Sequence, residues 1–158
     1  MNEIFIKFIA DWLVVLIALI GAYLLIFKIP NNNKIEVYKH ILLAGLTSYM
    51  LAKFAAIVYQ PSDLRPFEIL GLKPGAAYLD NPGFPSDHAL FVTVIALAVI
   101  AHIKSKKLSV VLSIAVFLVC VGRVLALVHS PADVIFGVLF GLIGGLWYLN
   151  GSKNLRIK

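Results

Sequence analysis

Five apolar segments, near residues 8–27, 37–59, 86–103, 108–127 and 131–149, leave this chain few ways to fold. Crossing the hydrocarbon core of a bilayer takes about 20 helical residues, with a range near 17–25. Each segment meets or approaches that length. Hydrophobic residues make up 61% of the chain, against about 45–50% in soluble domains. The expectation is an all-α, polytopic membrane helical bundle of about five spans, forming one domain over residues 1–158. The uncharged stretches inside some segments are shorter than a full span, as from Ala89 to Ala101 before His102, so tilt, snorkelling ends or local thinning must cover the difference.

Charge gives the bundle a direction. With five spans, the connections at 28–34 and 102–107 and the tail at 153–158 fall on one side. With Lys39 they hold Lys28, Lys34, Lys104, Lys106, Lys107, Lys153, Arg156 and Lys158, nine of the fourteen basic residues. The positive-inside rule makes that side cytoplasmic and puts the N-terminus and the 60–85 loop outside. Membrane orientation thus accounts for the net charge of +6; basic residues scattered among apolar runs do not form a nucleic-acid face. Met1–Lys7, with Glu3 and a single lysine, matches a cleaved signal peptide poorly and is expected to be retained. Cys120 stands alone, which leaves no intramolecular disulfide and no cysteine metal cluster. Asp63, Glu68, Asp80, Asp87 and Asp133 all fall on the outer side. A connection as long as 60–85 is usually functional or disordered.

The outer side carries the chemistry. Between the last two spans, Arg123, His129 and Asp133 follow one another at spacings of six and four residues. Ser130 reads as a helix N-cap, Pro131 as the first helical residue and Asp133 as a capping-box acid. A cap does not account for Arg123 ending one apolar run, nor for His129 at the mouth of the next helix, where free N–H groups and the dipole favour an anion. Asp80-Asn81-Pro82-Gly83-Phe84-Pro85-Ser86-Asp87-His88 repeats the arrangement, with a forced turn, a serine cap and a histidine in the first helical turn. Lys53 lies in the last third of the second span, where a lysine costs less than the roughly 2.5–3.5 kcal/mol of a helix centre. It either snorkels to the interface or points into a polar pocket. Arg65 precedes Pro66, which fixes the local backbone. Phosphoryl transfer needs cations around the phosphoryl oxygens, an in-line nucleophile and an acid for the leaving oxygen. Lys53, Arg65 and Arg123 offer the first, and His88 and His129 the others, since imidazole exists in both protonation states near neutrality. Asp133, one turn beyond His129, is placed to set its tautomer.

Lys53, then Arg65-Pro66-Phe67, then Pro85-Ser86-Asp87-His88, then Arg123, His129 and Asp133 resemble the three signature motifs of the type-2 phosphatidic acid phosphatase family. The resemblance spans about residues 50–150, and the wording of Asp80–His88 is most similar to the small bacterial undecaprenyl-diphosphate phosphatases. It implies that His129 forms a phosphohistidine with Asp133 orienting it, and that His88 protonates the departing oxygen and then activates water. It implies too that Lys53, Arg65, Ser86 and Arg123 hold the phosphate, with no metal or other cofactor. The chain departs from the pattern in places. Eleven residues separate Lys53 from Arg65, Gly122 stands where the third motif often has serine, Asp87 stands where the second has glycine, and members commonly have six spans. The expected reaction is hydrolysis of an isoprenoid diphosphate, undecaprenyl diphosphate, to the monophosphate at the outer face of a bacterial cell membrane, recycling a lipid carrier for the cell wall. Phosphatidylglycerol phosphate, phosphatidate and a lipid A phosphate are the alternative substrates, and a small transporter or assembly subunit is the non-enzymatic alternative. A metal held by His129, Asp133 and His88 is disfavoured by three nearby cations, which attract phosphate and repel a dication. Trp147 and Tyr148 read as interfacial anchors.

Overall fold

The computed structural model describes residues 2–59 and 64–151, and every regular element among them is helical. Lipid offers no partner to an unpaired backbone group, so apolar segments of this length close their hydrogen bonds internally. Helix α1 covers Glu3–Phe27 and contains a π-helical turn at Phe8–Trp12. It is followed by α2 (Lys34–Val58), the single turn α3 (Pro66–Ile69), α4 (Asp87–His102), α5 (Lys106–Leu125), α6 (Pro131–Gly144) and α7 (Trp147–Gly151). The expectations resting on Asp63 and on the basic tail at Lys153, Arg156 and Lys158 lie outside the described residues.

Among the described residues, four helices are long and apolar enough to cross a membrane: Glu3–Phe27, Asn31–Val58, Lys106–Leu125 and Pro131–Leu149. The chain is a multi-pass membrane protein. The remaining expected span, α4, has only 16 residues, about 24 Å of helix against a hydrocarbon core of about 30 Å. Its position explains how so short a helix is accommodated. It packs against α1, α2, α5 and α6, and half of its residues are buried, so protein rather than lipid surrounds it. The outer helices show the opposite pattern, with Leu19, Phe54, Ile57 and Phe117 exposed, as a lipid-facing surface requires.

Two contact sets hold the bundle around α4. Val14 and Ile17 of α1 meet Val92, Ala96 and Val99 of α4 and Leu112 and Val119 of α5. Ala52 of α2 meets Leu90 and Val94, with Phe140 of α6 packed against them. Helix α6 approaches α4 closely because Gly137 and Gly141 face it: a Cβ at Gly137 would lie 2.5 Å from the Ser86 carbonyl oxygen, and one at Gly141 2.8 Å from the Thr93 side chain. Small residues at such seams let membrane helices pack by backbone contact. The consequence is that both helices begin side by side, with the Ser86 amide donating to the Asp133 carbonyl at 2.9 Å.

The 64–86 connection is a structured cap over this end. Phe67 and Ala76 pack with Ala10, Ala126 and Val128, while the Phe67 and Gly75 amides donate to the carbonyls of Leu127 and Ala126 at 3.0 and 2.9 Å. Leu127 adopts a left-handed conformation, φ 59°, which reverses the chain between α5 and α6. At the opposite end one expectation is corrected. Tyr148 is buried, with its ring edge-on to His102 at 5.5 Å, because the chain turns at Gly145 and carries Tyr148 inward beside Ala44 and Ala98. Trp147 keeps partial exposure and donates its indole N–H to Thr47 Oγ1 at 2.9 Å.

Candidate active site

Five helix ends and the cap enclose a small cavity. Lys53 from the end of α2, Arg65 from the start of α3, His88 from the first turn of α4, Arg123 from the last turn of α5 and His129 from the turn before α6 all line it. Asn81, Gly83, Phe84 and Asp87 complete much of the wall. Its volume of about 60 Å³ is enough for about four water-sized groups, which is the scale of a phosphate's oxygens. The pairs read from sequence as separate motifs are therefore brought together at one end of the bundle.

The start of α6 is built as its sequence dictates. Ser130 Oγ accepts from the Asp133 amide at 3.2 Å, and Asp133 Oδ2 accepts from the Ser130 amide at 2.7 Å, so the reciprocal capping box is complete. The same Oδ2 lies 3.5 Å from His129 Nδ1, an ion-pair distance slightly longer than a formed hydrogen bond. His129 Nδ1 has no other hydrogen-bond partner among the described residues. Asp133 thus faces Nδ1 and leaves Nε2 as the nitrogen free for chemistry. Gly83 sits directly over this pair: a Cβ there would be 3.2 Å from Arg65 Nη1, 3.3 Å from His129 Nδ1 and 3.4 Å from Asp133 Oδ2. Burial, reinforced by the positive charges of Arg123 and Arg65, pulls the His129 pKa below the ordinary 6.5; the Asp133 carboxylate opposes this without reversing it. The imidazole is therefore neutral at neutral pH.

The cations are held in different ways. Arg65 is only 5% exposed; its Nη1 donates to the Val128 carbonyl, and its Nη2 donates to the Leu79 carbonyl at 3.0 Å and to Asn81 Oδ1 at 2.8 Å. Three of the five guanidinium donors thus lock the cap to the His129 turn, while Nε is buried without a partner among the described residues. Burial lowers the Arg65 pKa, with Asp133 and Glu68 opposing, and the group stays charged. Lys53 Nζ lies 3.1 and 3.2 Å from the two Asp87 carboxylate oxygens and 5.2 Å from the Tyr49 ring centroid. Of the two readings open to Lys53, the structure takes the inward one, and Asp87 at the unusual position of the second motif is what draws it in. Arg123 is 1% exposed, and its Nη1 donates to Asp11 Oδ1 at 2.9 Å.

Ser86 is fully buried and caps α4, its Oγ accepting from the Ala89 amide at 3.4 Å; it lies behind the cavity wall rather than among the lining residues. Asp133 likewise stands behind His129. Two residues with roles at the site escape the motif reading. Asn81 anchors Arg65; it lies within the Asp80–His88 stretch that carries the resemblance, but its spacing gives its side chain no role. Asp11 anchors Arg123, and it is the only charged residue between positions 8 and 27.

A sequence model described as the PAP2 superfamily matches residues 37–157, well over half of the chain. The chain belongs to the PAP2 superfamily. PAP2 proteins are membrane helical phosphatases, and the cavity described above is lined by residues of the matched region. No curated protein and no solved structure matches the sequence. The matched region contains Lys53, Arg65, His88, Arg123, His129 and Asp133, whereas Asp11 and the whole of α1 lie outside it.

Proposed function

We propose that this PAP2 phosphatase hydrolyses an isoprenoid diphosphate, undecaprenyl diphosphate, to the lipid monophosphate and inorganic phosphate through a phosphohistidine on His129. The observation that carries the reading is the convergence of two histidines and three cations on one phosphate-sized cavity. Neutral His129, with Nδ1–H toward Asp133, attacks the terminal phosphorus through Nε2. The bond from phosphorus to the bridging oxygen breaks, and His88 gives that oxygen its proton as the lipid monophosphate departs. His88 then takes a proton from water, whose oxygen attacks phosphorus and breaks the P–N bond, releasing phosphate and restoring both imidazoles. Arg123, Lys53 and the uncommitted donors of Arg65 balance charge on the phosphoryl oxygens throughout. Arg65 also serves as a clamp, and Ser86 acts through the helix start it caps.

A lipid substrate is supported by an apolar groove of about 570 Å³ along α5 and α6. It reaches Leu125 and Pro131, which flank the turn carrying His129, so an apolar tail can lie along the bundle while its headgroup occupies the cavity. The lysines at 28, 34, 39, 104, 106 and 107 gather at the opposite end, which supports an extracytoplasmic site by the positive-inside rule.

The three cations lining the cavity attract a phosphate and repel a dication, which supports metal-independent turnover. Purified protein in detergent with excess chelator is expected to release phosphate within about twofold of the untreated rate; a tenfold or greater loss restored by a divalent metal would overturn that part. The substrate assignment is tested in the same assay by comparing undecaprenyl diphosphate, phosphatidylglycerol phosphate and phosphatidate. Release confined to the first is expected, and preference for either of the others reassigns the lipid.

The lowered His129 pKa sets the acid limb of the pH profile. As kcat/KM reports the free enzyme, it should hold or rise from neutrality down past pH 6.5, because the acid His88 gains its proton in the same direction, and fall only where His129 becomes protonated, below that value. A decline already centred above pH 6.5 would contradict a buried neutral nucleophile.

A further inference from the structure

Resting on the phosphatase reading, we infer that Asp11 is a positioning residue of the active site, fixing Arg123 and the cap together from outside the region that matches the family. Each of its carboxylate oxygens has a separate task. Oδ1 accepts from Arg123 Nη1 at 2.9 Å, and Oδ2 accepts from the Ala77 amide of the cap at 3.0 Å. Arg123 is almost wholly buried and its Nε has no partner among the described residues, so Asp11 supplies both a counter-charge and one fixed direction for its guanidinium. A buried cation without such a partner is strongly disfavoured.

The local structure of α1 is shaped to make this contact. Asp11 lies in the π-helical turn Phe8–Trp12, a backbone form that recurs at functional sites. In that turn Ile9 and Ala10 are buried against Gly122, the residue before Arg123. A Cβ at Gly122 would stand 2.8 Å from the Ala10 amide nitrogen and 2.8 Å from Ile9 Cγ1. Glycine there lets the two backbones touch, which puts Asp11 beside the arginine. Charge inside an apolar helix is expensive and usually functional, and this one meets a cation of the phosphate cavity.

The test is a double-mutant cycle on full-length protein in detergent, using Asp11→Ala, Arg123→Ala and the double variant, with Asp11→Glu as the conservative change. Phosphate release and protection from thermal unfolding by orthovanadate, a mimic of the trigonal transition state, are read on each. We expect Asp11→Ala to lower kcat by about 10- to 100-fold with KM changed less than threefold, to weaken vanadate protection in parallel, and to add little on top of Arg123→Ala. Asp11→Glu should recover part of both. Fully additive losses, or a kcat for Asp11→Ala within about twofold of wild type, would overturn the positioning role while leaving the phosphatase reading intact. A wild type that releases no phosphate but binds vanadate in a way coupled to Asp11 would keep the positioning role and remove the phosphatase reading. No release and no vanadate binding would remove both.

Discussion

Replacing His129 by alanine is expected to reduce phosphate release on the order of 10⁴-fold while the protein remains folded. The side chain is 5% exposed and lies in the Ala126–Ser130 turn, so its removal leaves the capping box at Ser130 and Asp133 and the glycine seam between α4 and α6 untouched. Truncation does leave Asp133 without the imidazole, but Oδ2 keeps the Ser130 amide as a donor at 2.7 Å. The loss should therefore fall on chemistry rather than on folding. A direct check separates a nucleophile from a structural histidine: brief exposure to substrate labelled at the terminal phosphate, followed by an alkaline quench, should leave acid-labile label on wild type and none on His129→Ala. His88→Ala should accumulate that label, because departure of a good leaving group needs less help than attack by water. Label that is absent from wild type, or retained by His129→Ala, would exclude His129 as the covalent nucleophile.

The sequence displayed this much of the site because its chemistry lies at helix ends, where capping rules and catalytic requirements select visible residues. Ser130, Pro131 and Asp133 were readable as a helix start, and Ser86 as another; both caps form as expected. What pairs them is less visible, because Gly137 and Gly141 act by what they lack, and no hydrophobic pattern announces a backbone contact. The ends of α4 were readable, since the helix runs Asp87–His102 between its caps Ser86 and Ile103, but apolarity alone did not show that protein rather than lipid surrounds so short a helix. Tyr148 looked like an anchor because an aromatic pair near a span end usually is one, and only the turn at Gly145 reveals that it faces inward. Asp11 had a local signal, a lone charge in an apolar run. Its partner, 112 residues away in sequence, had none that spacing could supply.

The same economy at the start of α6 leaves the role of Asp133 open to a decisive substitution, since one carboxylate oxygen serves both the cap and the histidine. Asp133→Asn preserves the size of the side chain and retains a carbonyl oxygen for the Ser130 amide, and the third position of a capping box is served by an amide as well as by an acid. Thermal stability should accordingly stay within a few degrees of wild type. The amide that replaces the other oxygen alters what His129 can be. A neutral carbonyl in place of the carboxylate weakens the hold on Nδ1–H and removes the counter-ion for the charge that forms on attack, and an N–H donor turned to Nδ1 reverses the tautomer outright. The proton then favours Nε2, the nitrogen that must carry the lone pair. Loss of that tautomer control in an Asp–His pair costs about 10⁴-fold in the serine-protease triad, and a drop of about 10³- to 10⁴-fold in kcat is expected here. Most of the loss should appear in kcat rather than KM, because the cations at Lys53, Arg65 and Arg123 are unchanged. If Asp133→Asn retained activity within tenfold of wild type at equal stability, Asp133 would be a helix cap and nothing more, and the orientation of His129 would have to come from its packing beneath Gly83.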